Sequence, residues 1–339
     1  MPERLAHKAD RSDYYFRPDP WVMALAARVE EVLENVVASG DSMLAEIGRH
    51  MLFGYAKRLR PIFALLGQQL FREEVPESSI ECAAAAELIH CASLFHDDVI
   101  DEATTRKGRE AANAVWGNKS AVIVGDQFFV LAYNLLTKRR DFRIIEFYID
   151  ICRSLAEGVM MEIKNTGNLD ITEETHSEIV KRKTALFFQT VASVGGYLGG
   201  AGGEHSGHLA AFGLNFGMAF QFSDDLLDLF SDPEATGKPR GADLRSGIYT
   251  TPIIHALAHD SAFKTRFGPA LQNGGIGQDT IDEIAEALIS NGSMEYSKGL
   301  VKLYGEKASS HLDLLPACRA NDAFRDLLGR IVSREYSPR

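Results

Sequence analysis

Apolar positions along this chain recur mostly at intervals of three and four residues, which predicts amphipathic helices. One such run follows Pro20, and a second follows the break at Ser39 and Gly40, with Asp41 placed to cap it. Further helical runs are predicted near residues 78–101, 118–138, 141–164, 173–198 and 206–231. The alternation typical of strands is nearly absent. The pattern therefore predicts an all-α fold.

The same pattern predicts the domain organisation. Residues 1–18 are polar and form a predicted N-terminal arm, whereas residues 19–339 carry no linker and no internal repeat apart from one twinned motif. A single helical domain is expected from residue 19 to residue 339. The glycine-rich stretch at 199–203 follows no predicted strand, so it is interpreted as a turn between helices and not as a phosphate-binding loop.

Composition narrows the possible functions. The formal charge is 36 − 47 = −11, which argues against general affinity for nucleic acid or anionic membranes. The first residues are charged and lack the apolar core expected of a signal peptide, and the most apolar stretch, Ala121 to Leu136, is interrupted by polar residues. A cytoplasmic protein without a transmembrane segment is expected; peripheral membrane contact at product release stays open. The four cysteines lack metal-ligand spacing and are expected to be reduced.

The twinned motif consists of two aspartate clusters with the same spacing. The first contains Asp97, Asp98 and Asp101, and the second contains Asp224, Asp225 and Asp228. Residues four apart on a helix share a face, where like charges repel each other. Two such clusters indicate a common cation, and Mg²⁺ prefers carboxylate and phosphate oxygens. A single cluster is commonly a solvated helix end, and the ligand spacing of an EF-hand is missing.

Basic side chains accompany both clusters. Most isolated lysines and arginines are solvated, but in an acidic protein these would provide local anchors for a diphosphate. One and two helical turns before Asp97 lie Ser93 and His90, which extend the polar face. The basic residues concerned are Lys57, Arg58, Arg60, Arg106, Lys107, Lys181, Arg182, Lys183, Lys238 and Arg240.

Together these residues resemble the trans-isoprenyl diphosphate synthases, or polyprenyl synthetases. The likeness is strong from about residue 45 to residue 260 and weaker beyond. The matching motifs are Lys57-x-x-Arg60-Pro61, Glu87-x-x-His90-x-x-Ser93-Leu94-x-His96-Asp97-Asp98-x-x-Asp101, Arg106-Lys107-Gly108, Lys183-Thr184, Gly217-x-Ala219-Phe220-Gln221-x-x-Asp224-Asp225-x-x-Asp228 and Gly237-Lys238.

The resemblance implies a bundle of about ten or more helices around a deep central cavity, usually in a homodimer, with about three Mg²⁺ ions per active site. Asp97, Asp101 and Asp224 would be direct ligands, supported by Asp98, Asp225 and Asp228. The allylic diphosphate would be held by Arg106, Lys183, Gln221 and Lys238, with Thr184 beside the reacting carbons. Isopentenyl diphosphate would be held by Lys57, Arg60, His90 and Lys107.

Three positions depart from the family pattern. Tyr55-Ala56 replaces a common Gly-Gly, and Lys107 replaces the second arginine of Arg-Arg-Gly. Ile248 stands where many members carry a lysine near the allylic diphosphate. That lysine's role is therefore not transferred to Ile248.

The implied reaction ionises an allylic diphosphate, and the double bond of isopentenyl diphosphate then attacks the carbocation. In the family, bulky residues four and five positions before the first aspartate block the product tunnel; here they are the small Ser93 and Ala92. One helical turn rises about 5.4 Å, comparable to one prenyl unit, so an all-trans product beyond about C20, about C30 to C50, is expected. Ile89, Phe128, Phe129 and Tyr133 are the other candidates for setting chain length, although aromatic residues at helical spacing are often plain core.

Other functions stay open. One is a short-chain synthase that makes farnesyl or geranylgeranyl diphosphate. Another is a class I terpene cyclase, although Lys57, Arg60 and His90 favour a second diphosphate site. A third is a subunit that needs a partner in a heteromeric synthase; a non-catalytic subunit of that kind would be expected to lose aspartates that this chain keeps.

Overall fold

The computed structural model describes residues 19–53, 58–106, 109–231 and 240–336. Within these ranges the chain is helical apart from one short ribbon, so the all-α prediction is confirmed. The helices are α1 Pro20–Ala38, α2 Ser42–Leu52, α3 Leu59–Gln69, α4 Glu77–Ile100, α5 Ala112–Trp116, α6 Asn118–Lys138, α7 Phe142–Asn165, α8 Glu173–Val180, α9 Leu186–Gly199, α10 Gly203–Phe230, α11 Ala242–Arg245, α12 Thr251–His259, α13 Ser261–Asn273, α14 Gln278–Ser290, α15 Ser293–Leu312 and α16 Arg319–Val332. The predicted arm at 1–18 lies outside the described residues.

Polar residues begin helices where the sequence predicts. The Asp41 carboxylate accepts a hydrogen bond from the Met43 backbone N–H at 2.9 Å. The Thr172 hydroxyl accepts one from the Thr175 backbone N–H at 3.2 Å and so caps α8. Each cap satisfies a backbone donor that the first turn of a helix leaves unpaired. The glycine-rich stretch is a turn between helices, as predicted, with Gly200 ending α9 in a left-handed conformation at φ +84°.

The predicted continuous helix from 173 to 198 is wrong in one respect, because a π-helical segment at Lys181–Ala185 separates α8 from α9. Glycines allow two neighbouring helices to approach this segment closely. A Cβ added at Gly158 on α7 would lie 2.8 Å from Lys183 Cγ, and one added at Gly217 on α10 would lie 2.5 Å from Ala185 Cα. The widened turn therefore sits between two close helix contacts, and it carries two of the predicted site residues.

The buried apolar residues form one cluster that extends from Val22 to Tyr336. At its centre the Phe63 ring of α3 contacts the rings of Phe188, Phe212 and Phe324 with centroids 4.9, 5.7 and 4.9 Å away. These rings come from α9, α10 and α16 respectively. The aromatic contacts fix α10, which carries the second aspartate cluster, against α3 and α9.

Helices α4 and α6 pack closely along their lengths. A Cβ at Gly125 on α6 would lie 2.4 Å from His96 Nε2 on α4, so a larger residue there would displace the His96 ring. By length and composition α6 is also the one helix among the described residues that is long and apolar enough to cross a membrane. Buried side chains such as Phe128 and Ala132 account for part of its apolar character, because they face the core.

The only strands in the described part of the chain form a two-stranded ribbon. Thr105–Arg106 pairs with Arg109–Glu110 in antiparallel register, with Thr105 opposite Glu110. This ribbon directly follows α4 and turns the Arg106 side chain back toward the end of that helix.

Candidate functional site

The first aspartate cluster lies at the C-terminal end of α4. Asp97 is in the last turn, and Asp101 is the residue that ends the helix, its N–H donating to the Asp97 carbonyl at 2.8 Å. Carboxylates are unfavourable at this end because the helix dipole is negative there. Burial raises the pKa of Asp97 to about 6, and nearby Asp101 contributes in the same direction. Burial also raises the pKa of Asp101. A cation bound near Asp97 and Asp101 would therefore stabilise their charged forms.

Asp98 is fully buried. Its Oδ1 accepts from Arg106 Nε at 2.7 Å, while Asp98 Oδ2 is buried and has no hydrogen-bond partner among the residues that the structure describes. The amide of Asn113 donates to the Asp98 carbonyl at 3.1 Å and to that of Ala103 at 2.9 Å. Asp98 thus fixes the position of Arg106 and of the chain that follows α4, and so supports the first cluster.

Lys183, in the π-helical segment, interacts electrostatically with the first aspartate cluster. Its ammonium group pairs with the Glu162 carboxylate of α7. Burial lowers the pKa of Lys183, but the charges of Glu162, Asp97 and Asp101 outweigh burial and raise it overall. Lys183 in turn is the strongest charge lowering the pKa of Asp97 and Asp101. The structure therefore brings Lys183 to the first aspartate cluster, although some 80 residues separate them in the sequence.

The second cluster lies near the C-terminal end of α10. Asp224 Oδ1 accepts from Arg334 Nη1 at 2.8 Å, and the same nitrogen lies 2.9 Å from Ser223 Oγ. The Tyr336 hydroxyl donates to Ser223 Oγ at 2.8 Å. The end of the described chain therefore packs against the residues that begin this cluster.

Asp225 is buried, with a side chain 4% exposed, and both its oxygens are hydrogen-bonded. Asp225 Oδ1 accepts from Gln221 Nε2 at 2.9 Å, and Oδ2 lies 3.2 Å from His176 Nε2. The Thr184 hydroxyl donates to Gln221 Oε1 at 2.7 Å. The structure thus brings the predicted residues Thr184, Gln221 and Asp225 into one network.

Asp228 completes the second cluster and caps the short helix α11. Its Oδ1 accepts from the Ala242 N–H at 3.0 Å and its Oδ2 from the Asp243 N–H at 3.2 Å. Burial raises the pKa of Asp243 well above its usual value, and Asp228 and Asp225 add to the effect. Asp243 is therefore a further carboxyl group at the site.

Two of the predicted ligands for the second diphosphate meet at one aromatic ring. The Arg60 guanidinium carbon lies 4.8 Å from the centroid of Phe187, and the His90 ring meets Phe187 edge-on at 6.4 Å. Arg60 Nε is buried without a hydrogen-bond partner within the described ranges. Burial lowers the pKa of Arg60 to about 10, while Glu87, Cys91 and Asp224 oppose that change. A cation held in this way is available to an anion.

Arg58 has a different environment from Arg60. Its guanidinium donates to Glu30 at 2.5 Å, to Glu87 at 2.7 Å and to the Leu52 carbonyl at 2.6 Å, and the residue is 4% exposed. Its backbone has φ +50°. Arg58 therefore ties the start of α3 to α1 and α4. The predicted ligands Lys57, Lys107 and Lys238 lie outside the described residues.

The candidate chain-length residues occupy different surroundings. Ile89 and Ala92 are fully buried, and the Ser93 hydroxyl donates to the His90 carbonyl at 2.8 Å. Phe128 packs against Phe95 in the core, with centroids 5.3 Å apart, which matches the plain-core alternative. The two remaining aromatic candidates are half-buried: Phe129 lies 5.9 Å from His96, and the Tyr133 hydroxyl donates to Cys152 Sγ at 3.4 Å.

The site also contains residues that sequence reasoning did not single out: Glu162, His176, Asp243, Arg334 and Tyr336. Each stands outside the two repeated motifs.

The oxygen donors suit a hard divalent cation, but they do not form a closed cage. No group of three or more histidine, cysteine, aspartate or glutamate side chains converges on one point in the described part of the chain. Mg²⁺ commonly binds one or two carboxylates and completes its shell with water and substrate phosphate. The arrangement therefore fits metal ions shared between the protein and a phosphorylated ligand, and the unpartnered Asp98 Oδ2 adds a buried acceptor beside it.

Comparison with known proteins gives a consistent result. The sequence profile of the polyprenyl synthetases matches residues 41–288. The chain is 31% identical over 309 residues to the octaprenyl diphosphate synthase of Escherichia coli, covering 91% of this chain and 95% of that protein. It is 34% identical over 316 residues to component 2 of the heptaprenyl diphosphate synthase of Geobacillus stearothermophilus, covering 91% and 96%.

A solved structure has the same overall architecture. The polyprenyl synthase of Caulobacter crescentus, complexed with calcium and isoprenyl diphosphate, superposes with a TM-score of 0.87 at 28% identity. The superposition covers 98% of each chain.

Proposed function

The chain belongs to the polyprenyl synthetase family, and from that premise we propose that it condenses isopentenyl diphosphate with an allylic diphosphate to make an all-trans polyprenyl diphosphate. The observation that carries this proposal is the pair of aspartate clusters on α4 and α10. Lys183 follows α4 and precedes α10 in the sequence, and its positive charge lowers the pKa of Asp97 in the first cluster. The cytoplasm is the proposed location.

Asp97, Asp101 and Asp224 are the proposed ligands of about three Mg²⁺ ions, since Mg²⁺ takes few protein carboxylates per ion. Asp98, Asp225 and Asp228 are the proposed supports; their oxygens accept hydrogen bonds from Arg106, Gln221 and the start of α11. When bound, such ions neutralise the charge that develops on a departing diphosphate.

In this proposal, cationic and polar side chains of the protein orient the two substrates. Lys183, Arg106, Gln221 and Lys238 hold the allylic diphosphate, and Lys57, Arg60, His90 and Lys107 hold isopentenyl diphosphate. Arg60 is supported best among the second group, because its guanidinium is buried against Phe187 and Phe188 and its Nε lacks a partner within the described ranges.

The condensation itself needs a dry environment and no strong protein base. The Thr184 oxygen lies beside the reacting carbons in this proposal, where it can stabilise positive charge. The departing diphosphate takes the proton, because a basic side chain next to a carbocation would be alkylated. The apolar rings around Arg60 are suited to excluding water.

Product length is proposed to exceed C20, about C30 to C50, because small residues on α4 leave room for roughly one prenyl unit per helical turn. Ala92 is fully buried, and Ser93 turns its hydroxyl back to its own helix, so neither presents a bulky group. The names of the relatives compared, octaprenyl and heptaprenyl diphosphate synthases, agree with this range.

A homodimer is the proposed assembly, formed through an apolar face on α6 and α7. This α6–α7 face consists of Val122, Ile123, Val130, Phe142 and Ile149, whose exposed fractions are 37, 58, 52, 78 and 50%. The hydrogen bond from Tyr133 to Cys152 places the two helices side by side. Exposed apolar residues grouped on two neighbouring helices are typical of an interface.

The proposed function is tested by incubating the purified protein with Mg²⁺, farnesyl diphosphate and labelled isopentenyl diphosphate, and sizing the products. Polyprenyl diphosphates longer than C20 are expected. Products that stop at C15 or C20 would identify a short-chain synthase, and hydrocarbon released without isopentenyl diphosphate would identify a cyclase.

The relationship to a component 2 protein gives the partner-dependent alternative a specific basis. The same assay distinguishes this alternative from the homodimeric enzyme, because the homodimer is expected to be active without a second component. A protein that binds both substrates but elongates the allylic diphosphate only when a second component is added would be the catalytic subunit of a heteromeric synthase.

A further inference from the structure

His176 is a buried histidine that the proposed mechanism does not use. It lies in the first half of α8, seven residues before Lys183, and its side chain is about 7% exposed. Its ring packs near Phe222 with centroids 6.2 Å apart. A buried imidazole needs a hydrogen-bond partner, and this one faces Asp225.

The hydrogen bond between His176 and Asp225 has a defined donor and acceptor. His176 Nε2 lies 3.2 Å from Asp225 Oδ2. Because a carboxylate only accepts hydrogen bonds, Nε2 must carry the proton and donate it. The other carboxylate oxygen, Asp225 Oδ1, accepts from Gln221 Nε2 at 2.9 Å.

The orientation of Asp225 determines that of the next two groups. Gln221 must turn its NH₂ group to the carboxylate, so its carbonyl oxygen faces Thr184. The Thr184 hydroxyl must then donate its single proton to Gln221, at 2.7 Å. Only the lone pairs of the Thr184 oxygen remain for anything else at the site.

We propose that His176 is a positioning residue that fixes Asp225 and, through Asp225 and Gln221, makes Thr184 an acceptor toward the reacting carbons. This inference rests on the proposed function, in which positive charge develops beside Thr184. An oxygen lone pair stabilises such charge, whereas a hydroxyl proton pointing at it is unfavourable. His176 also joins α8 to α10, so it holds the chain that leads directly into Lys183 and Thr184.

Three substitutions separate hydrogen-bond donation from packing. His176→Gln places an amide N–H near the position of Nε2 and keeps a donor to Asp225. His176→Phe keeps a ring against Phe222 but removes the donor, and His176→Met provides a second donor-free side chain with more freedom to pack. Circular dichroism and thermal unfolding establish that each variant is folded.

The readout independent of turnover is the binding of inorganic diphosphate in the presence of Mg²⁺, measured by isothermal titration calorimetry. The donor-free variants are expected to bind about tenfold more weakly, and to lose about ten- to hundredfold in kcat with little change in KM for isopentenyl diphosphate. His176→Gln is expected to stay within about threefold of the wild type in both measurements.

His208 provides a matched control on the same helix as Asp225. Its Nδ1 lies 3.2 Å from His311 Nδ1, and it precedes Asp225 by about 25 Å of helix. His208→Phe is expected to leave diphosphate binding unchanged.

The outcomes are distinct. Donor-free variants that match His176→Gln in diphosphate affinity and kcat overturn the inference, even if the wild type makes polyprenyl diphosphates. If the donor-free substitutions weaken the binding of magnesium diphosphate but the wild type elongates nothing, the positioning of Asp225 is supported and the proposed activity of the protein alone is contradicted.

Discussion

At the scale of single residues, Asp97 is held in an environment that disfavours its charge. It is largely buried, it lies at the negative end of α4, and Asp101 adds a second carboxylate one turn away. Lys183 and Arg106 offset this only in part, since the pKa of Asp97 still rises to about 6. A group kept at such an electrostatic cost indicates a function that stability alone does not explain.

This environment predicts the pH dependence of stability in the metal-free protein. The folded state holds the Asp97 proton up to a pH of about 6, whereas an unfolded aspartate loses it near 4. Between these values the native state binds more protons, so the free energy of unfolding falls as pH rises, by about 1–3 kcal/mol from this residue. Denaturant unfolding in EDTA at pH 4.5 and pH 7.5 measures it.

Asp97→Asn is the matched variant, because it keeps the shape of the side chain and removes the charge. It is expected to lose less stability than the wild type between the two pH values, and to gain less from added Mg²⁺. An identical pH dependence in both proteins would contradict the assignment of the raised pKa to Asp97.

Arg334 is a second residue whose role is decided by tertiary contacts. Its side chain is 9% exposed and pairs with Asp224 and Ser223. Arg334→Met is expected to reduce the free energy of unfolding by about 1–2 kcal/mol and to speed the removal of C-terminal residues by carboxypeptidase, followed by mass spectrometry. Arg330→Met, which changes an exposed pair with Asp326, is the control and should change neither.

The sequence predicted the site residues whose spacing repeats a chemical pattern and missed those that stand alone. Asp97 and Asp224 were recognisable because each belongs to a repeated cluster. Glu162, His176 and Arg334 reach the site only through the packing of distant helices, and no local pattern distinguishes them from ordinary surface or core residues.

At the scale of elements, α4 combines two tasks. Its C-terminal end carries the first aspartate cluster, and its body is a buried row of small residues from Ala83 to Ala86. The absence of bulk one turn before Asp97 is the feature on which the proposed product length depends.

Ser93→Phe is expected to shorten the product by at least one prenyl unit while the total incorporation of isopentenyl diphosphate continues. The reason is that a phenyl ring one helical turn before Asp97 would occupy space proposed for the growing chain. Radiolabelled products sized by reversed-phase chromatography measure it. Ser93→Ala is the control and should keep the wild-type length; an unchanged length in Ser93→Phe would place the tunnel elsewhere.

Periodicity predicted the elements well, because helices α1, α2, α6 and α7 each bury a stripe of apolar residues. It failed at Lys181–Ala185, where the backbone changes to a π-helix that the spacing of apolar residues does not indicate. The determinants of that change include glycines on other helices, Gly158 and Gly217, whose proximity is a tertiary property.

At the scale of the whole molecule, the α6–α7 face predicts self-association. Val130→Asp combined with Ile123→Asp is expected to convert a dimer into a monomer, because each change places a charge in the proposed interface. Light scattering should then report the 37.3 kDa chain mass in place of twice that value. Leu314→Asp, at a residue 56% exposed elsewhere, is the control; a wild type that is already monomeric would contradict the dimer.

The net charge of −11 makes the local cations decisive for anionic substrates. The general field repels a diphosphate, so binding must depend on the grouped cations and on metal ions at the two clusters. Helices α4 and α10 contribute the carboxylates, and the segment between α8 and α9 contributes the cation next to those of α4.

The most direct test of this account is the Mg²⁺-dependent binding of inorganic diphosphate, measured by calorimetry for the wild type, Asp97→Asn and Asp224→Asn. Asp150→Asn, at an exposed aspartate on α7, serves as the control. Because both clusters are proposed to grip one metal-bound diphosphate, each cluster variant should bind at least about tenfold more weakly, and the control should bind like the wild type. Wild-type affinity in either cluster variant would mean that its cluster is an ordinary charged helix end, and would contradict the account.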